Sequence, residues 1–150
     1  MAKQFSFSGK GWAVGALAAL AVIGFGCNKD DGDNSEPIPY VFVNEQVNLS
    51  SIEFSALRND NGTATIPGGV RGIIIVRQNP NLYYAFERNC TFRVYDSCAV
   101  VSDTPARLFL HDACCGSEFN YDGTVRNGPA TRALLRYTTQ LNGTMLYITN

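Results

Sequence analysis

Hydrophobic positions fall into two regimes along this chain. Residues 13–26 (AVGALAALAVIGFG) are almost uniformly apolar and small, and no apolar run of that length returns. A permanent membrane-spanning helix needs about 20 apolar residues, so this run is short for one. It follows Lys3 and Lys10 with no acid nearby, and it stops at Cys27, where the polar stretch NKDDGDNSEP begins. A basic start followed by a short apolar segment is the pattern of a secretion signal. A retained N-terminal anchor is the competing reading, and the abrupt switch to acidic residues argues against it.

Beyond Pro39 the pattern changes to short, β-branched, alternating segments broken by Gly, Pro and Asn. This predicts strands at Tyr40–Val43 running through Val47–Leu49, then Thr63–Ile66, Gly72–Val76, Leu82–Arg88, Ala99–Val101 and Ala106–Leu110. Asn79-Pro80-Asn81 reads as a hairpin turn. The sharpest hairpin is Ala133–Leu141, the turn Asn142-Gly143, and Thr144–Thr149. Ile52–Leu57 predicts a short helical turn with Ser51 as its N-cap. Short strands with frequent turns, and no long amphipathic helix, imply an antiparallel sandwich or barrel. Tyr83, Tyr84, Phe86, Phe109, Tyr137 and Tyr147 fall on these strands and read as core and cross-strand pairs.

The residues around Cys27 resemble a lipobox, in which a peptidase cuts before a cysteine that carries diacylglycerol and palmitate-type acyl chains. Such chains, at about 0.8 kcal/mol per buried CH₂, hold a protein on a membrane without a spanning helix. Three segments follow: residues 1–26 as a lipoprotein signal peptide, 27–39 as a lipidated flexible linker, and 40–150 as the folded domain. Asn28-Lys29-Asp30-Asp31 resembles the acidic export tag of Bacteroidetes lipoproteins. The expected location is the outer membrane, lipid-anchored and displayed on the cell surface, with the periplasmic face as the alternative. Removing Lys3 and Lys10 takes the formal charge from −1 to about −3. No basic footprint exists, so nucleic acid is not an expected partner; the membrane, through the lipid, and other envelope proteins are.

The chain has five cysteines and one histidine. Apart from Cys27, the cysteines cluster at Cys90, Cys98, Cys114 and Cys115. Outside the cytoplasm such a cluster reads first as disulfides and second as a metal site, of zinc or iron–sulfur type. Free or redox-active thiols are the remaining reading, although no Cys-x-x-Cys motif is present. No Ser-His-Asp, Cys-His or paired-carboxylate arrangement is recognisable, so no catalytic residues are assigned and an enzyme is not expected.

Two motifs carry a family resemblance. The first is Phe86-Glu87-Arg88-Asn89-Cys90-Thr91-Phe92. The second is Asp112-Ala113-Cys114-Cys115-Gly116-Ser117-Glu118-Phe119, followed by Gly128-Pro129-Ala130, Leu134 and Tyr137. In this order they resemble the Rieske iron–sulfur family, whose loops read Cys-x-His and Cys-x-x-His-Gly-Ser, with a Gly-Pro-Ala loop and a closing hairpin after them. The resemblance covers roughly Tyr40–Asn150. It implies an all-β, antiparallel Rieske-like sandwich with a small two-loop subdomain. A Rieske 2Fe-2S centre takes two cysteines on one iron and two histidines on the other. Cys90 matches the first cysteine. Phe92 stands at the first histidine, Asp112 at the second cysteine and Cys115 at the second histidine. With His111 as its single histidine, the chain cannot form a two-histidine site. Ser117 matches a hydroxyl that hydrogen-bonds a cluster sulfide in the family, and Phe119 replaces a tyrosine donor.

Respiratory members also link their two loops by a disulfide, and Cys98 and Cys114 fit its places. The resemblance then leaves Cys90 and Cys115 on former ligand positions, where they could close a second bridge if their Cα atoms come within about 7 Å. No metal or cofactor is expected on this reading. The alternative is an electron-transfer protein with an atypically ligated 2Fe-2S cluster held by Cys90, Asp112 and Cys115. The favoured role is an envelope lipoprotein whose degenerate domain serves structure or interaction, as an accessory component of a membrane-associated assembly. For the anchor, Cys27→Ala should release the protein from membranes or leave it unprocessed. Fractionation and migration like the wild type would refute the lipoprotein reading.

Overall fold

The computed structural model describes residues 36–150. The signal peptide, the lipidation site at Cys27 and most of the linker lie outside the described residues. Among those residues no helix is long and apolar enough to cross a membrane.

Among the described residues there are ten strands and one 3-10 helix. β1 is Asn44–Asn48, β2 Thr63–Ile66, β3 Ile73–Asn79, β4 Leu82–Glu87 and β5 Val101–Asp103. β6 is Leu110–Asp112, β7 Glu118–Phe119, β8 Val125–Asn127, β9 Arg136–Asn142 and β10 Met145–Thr149. They form an antiparallel six-stranded sheet in the order β1-β10-β9-β4-β3-β2 and a smaller antiparallel four-stranded sheet in the order β5-β6-β7-β8. This is the all-β, antiparallel Rieske-like architecture, with a small second subdomain.

The run Ile73-Ile74-Ile75-Val76 explains how the two layers meet. All four side chains are fully buried. Consecutive strand residues point to opposite faces, so a continuous apolar run means burial on both sides. Ile73 and Ile75 join Val43, Val47, Leu57, Tyr83, Ala85, Tyr137, Leu146 and Ile148 in one core. Ile74 and Val76 join Phe86, Ala99, Val101, Leu110, Phe119 and Leu134 in a second. The second core lies under the smaller sheet, and Cys90 is part of it.

Three local expectations shift. Tyr40–Val43 is not strand, and pairing starts at Asn44. Tyr40 and Phe42 are exposed, and this segment is tied down by the Asn150 side chain, which accepts from Val43 N at 3.1 Å and donates to Val41 O at 2.7 Å. Ala106–Phe109 is a turn instead of a strand: Arg107 takes a positive φ of 50° and donates to Thr104 O at 2.9 Å, so the strand starts only at Leu110. Ser51 does sit at the N-cap of the 3-10 helix Ile52–Arg58, but makes no side-chain cap hydrogen bond.

At the end of β4, Glu87 is fully buried. Its carboxylate accepts from Val70 N (2.6 Å), Arg71 N (2.9 Å), Asn89 N (2.9 Å) and Tyr137 Oη (2.8 Å). Burial, followed by this bond to Glu87, pushes the Tyr137 phenol pKa up. Gly69, at φ 60°, lets the chain pass here, since a Cβ would overlap Glu87 Oε2 and Tyr137 Oη. A hydrogen bond to a buried charge contributes about 1.5–3 kcal/mol. Tyr137→Phe should therefore lower unfolding free energy by about that amount, read as a lower urea midpoint of the purified protein. An unchanged midpoint would show that Glu87 does not need this donor.

Candidate functional site

Three loops converge at one end of the smaller sheet. The first leaves β4 and carries Cys90. Cys90 N donates to Ala99 O at 3.1 Å, and successive turns (Asp96 N to Arg93 O, Ala99 N to Asp96 O) fold residues 91–98 back on themselves. Asn89 is fully buried and braces this loop through Nδ2, donating to Val94 O at 3.0 Å. Arg71 bonds Asn89 Oδ1 through Nε and reaches Ser97 O at 2.8 Å and Asp96 O at 2.7 Å. The first loop is thus fixed to the Glu87 hub. Asn89 lies within the first motif but its bracing role was not legible there, and Arg71 lies outside both motifs, because a polar side chain that braces a loop has no local pattern.

The second loop is the β6–β7 hairpin tip. Asp112 N donates to Ser117 O at 2.9 Å and Gly116 N to Asp112 O at 2.8 Å, closing the turn. Gly116 takes a φ of 76°, a conformation that strains residues bearing a Cβ. The tip presents Asp112, Cys114, Cys115 and Ser117. The third loop, Gly128-Pro129-Ala130, lies against it: Ala130 N donates to Ser117 Oγ at 3.1 Å. A Cβ on Gly128 would stand 2.6 Å from Ser117 Cα, so only glycine permits this approach.

Cys98 and Cys114 form a disulfide with Cα atoms 5.5 Å apart, joining the first two loops. A bridge with a sequence separation of 16 stabilises by about 3 kcal/mol. Cys90 and Cys115 are both free thiols, with sulfurs 3.8 Å apart. The second bridge of the sequence reading is thus not formed in the structure: the sulfurs are neighbours, at a distance well beyond a covalent S–S bond of about 2.05 Å.

Around these thiols, Asp112 is fully buried, and its Oδ1 accepts from Cys114 N at 2.8 Å. Cys115 Sγ lies 3.2 Å from Asp112 Oδ2 and 3.0 Å from Ser117 Oγ. Burial pushes the Cys90 thiol pKa up; the Phe92 N–H opposes this, and a hydrogen bond to Asp112 adds to it. One ligand atom from each of Cys90, Asp112 and Cys115 falls within 4.8 Å of the other two.

The remaining candidates sit elsewhere. His111 pairs with Ser102 and Glu118, and as the residue between buried Leu110 and Asp112 it points to the opposite face of β6. Phe92 is partly buried against the second core and stacks with the Arg93 guanidinium at 5.4 Å. Phe119 is fully buried in that core. Among the described residues the site therefore offers three donors, and the donor set does not complete a four-ligand Rieske centre.

Fold and site together define a class: a Rieske-like β domain, degenerate at its ligand positions. No family model and no curated protein matches the chain. Among solved structures it is similar to the plasma membrane Rieske protein PetC3 of the cyanobacterium Synechocystis PCC 6803, at 27% identity and a TM-score of 0.50, covering 59% of this chain and 87% of that one.

The two free thiols differ in access, Cys90 being buried and Cys115 partly exposed. In chelator-treated native protein, iodoacetamide should modify Cys115 first and Cys90 only on unfolding. Equal native rates, followed by peptide mass spectrometry, would contradict this placement.

Proposed function

We propose that this protein is a non-enzymatic, membrane-anchored envelope lipoprotein whose degenerate Rieske-like domain serves a structural or interaction role and carries no 2Fe-2S cluster. The observation that carries the reading is the donor set. Two neutral imidazoles are replaced by a phenylalanine and a thiol, and one thiolate by a carboxylate. Cys90 and Cys115 occupy positions that bind different irons in the family, yet their sulfurs are 3.8 Å apart, nearly in contact. That spacing is short for ligands on two different irons.

Membrane association is supported by the lipobox-like Cys27 and by the similarity to a protein described as a plasma membrane Rieske protein. The acidic residues after Cys27 support an outer-membrane, surface-displayed location, with the periplasmic face as the alternative, and other envelope proteins are the partners this role would need. The disulfide between Cys98 and Cys114 suits this role, because it holds the loops together without a cluster.

Electron transfer by a cluster on Cys90, Asp112 and Cys115 is the second reading, favoured by their convergence within 4.8 Å. Iron and acid-labile sulfide analysis of the protein as purified from its host, with a visible spectrum, separates the two. We expect neither two irons nor two sulfides per chain, and no visible absorption from a cluster. Stoichiometric iron and sulfide would overturn the proposed function in favour of electron transfer.

A further inference from the structure

The buried carboxylate of Asp112 is short of partners. Glu87, equally buried, accepts three backbone N–H bonds and one phenol O–H. Asp112 has one backbone N–H, from Cys114, and beyond that only the thiols of Cys115 and Cys90. A thiol is a weak donor. A buried carboxylate without adequate donors or a cation is costly when ionised, and among the described residues Asp112 has no ion-pair partner. The two groups facing it, Cys90 and Cys115, are both metal ligands once deprotonated.

Two of their three spacings are close to those around one ion, and the third pair lies within 4.8 Å. A tetrahedral site with metal–sulfur bonds of about 2.3 Å has sulfurs about 3.8 Å apart, and with metal–oxygen bonds of about 2.0 Å its sulfur and oxygen are about 3.5 Å apart. The sulfurs of Cys90 and Cys115 are 3.8 Å apart, and Cys115 Sγ is 3.2 Å from Asp112 Oδ2. From these distances we infer that Cys90, Cys115 and Asp112 bind a single tetrahedral, thiolate-preferring divalent ion of the zinc type. The two thiols release their protons to solvent on binding, and no redox change is involved. The other two cysteines are held in their disulfide and cannot compete. Cys115 is partly exposed, so one of the three ligands is reachable from solvent. Three protein ligands leave the fourth corner to water, as in zinc sites that keep an open position.

The inference goes beyond the proposed function and fails separately from it. The test uses the mature protein as purified, stripped with chelator and titrated with Zn²⁺, and with Co²⁺ as the spectroscopic probe. Expected are one Zn²⁺ per chain and, with Co²⁺, thiolate-to-metal charge-transfer absorption together with tetrahedral d–d bands. Asp112→Asn should weaken binding by at least about tenfold, since even residues that only support ligands matter by 10–100-fold. Cys115→Ser, at the more exposed ligand, should abolish the charge-transfer signal of its own sulfur while the fold, read by circular dichroism, persists. Absence of stoichiometric binding overturns the inference, as does a Cys90–Cys115 disulfide in the protein as purified; either result leaves the structural role standing. Two irons with two sulfides would overturn both.

Discussion

Four consecutive side chains, Ile73 to Val76, have no solvent exposure, and this double-sided burial of one strand governs the arrangement of the rest. Burying such a side chain stabilises by about 1.5–3 kcal/mol, so each face of the strand carries several kcal/mol. A domain is stable by only about 5–15 kcal/mol in total. Leaving one face of β3 wet would therefore consume much of the stability. The smaller sheet, with Val101, Leu110 and Phe119, is the cover for the Ile74 and Val76 face. Because Cys90 belongs to that same core, the position of the site follows from the packing of β3.

Packing alone does not set the loop that carries Cys90. Glu87 turns the end of β4 into a polar junction, receiving the Val70–Arg71 backbone, Asn89 N and the β9 residue Tyr137. From there Arg71 and Asn89 reach the carbonyls of residues 94, 96 and 97. Removing any one donor leaves the carboxylate under-satisfied in a low-dielectric interior, where the loss is large. Core and loop are thus coupled: the apolar strand places the layer, and the buried acid places the loop tip.

Much of this was legible in the residues. β2, β3, β4 and the terminal hairpin follow from alternation, β-branching and the Asn142-Gly143 turn, because each is a local pattern. The convergence of Cys90 with Asp112–Ser117 was legible only through the motif order, since a contact between loops leaves no local periodicity. β7 and β8 are two and three residues long, too short for a two-residue period to be seen. The run Ala106-Arg107-Leu108-Phe109-Leu110 looked like strand by composition, but the Thr104–Arg107 turn takes up its first part. The bracing by Arg71 and Asn89 joins residues distant in sequence, and such pairs carry no signal in a single chain.

The two buried acids show why burial alone does not reveal function. Glu87 and Asp112 are both carboxyl side chains with no solvent exposure. Glu87 is enclosed by four N–H and O–H donors, which can balance a carboxylate without any cation. It needs nothing from outside the chain, and its role is structural. Asp112 has one such donor and two thiols. In the Rieske family that the motifs resemble, the matching position holds a thiolate on iron, where the metal, not the protein, balances the charge. Exchanging cysteine for aspartate keeps an anion at that point and keeps the demand for a counter-charge. The exchange of histidine for cysteine at position 115 increases it, since a neutral ligand gives way to one that is anionic when bound. A site that had simply been retired would be expected to lose its charge, by apolar replacement of the kind seen at Phe92. Here one position is apolar, while the other three carry side chains able to ligate a cation, the feature on which the proposed single-ion site rests.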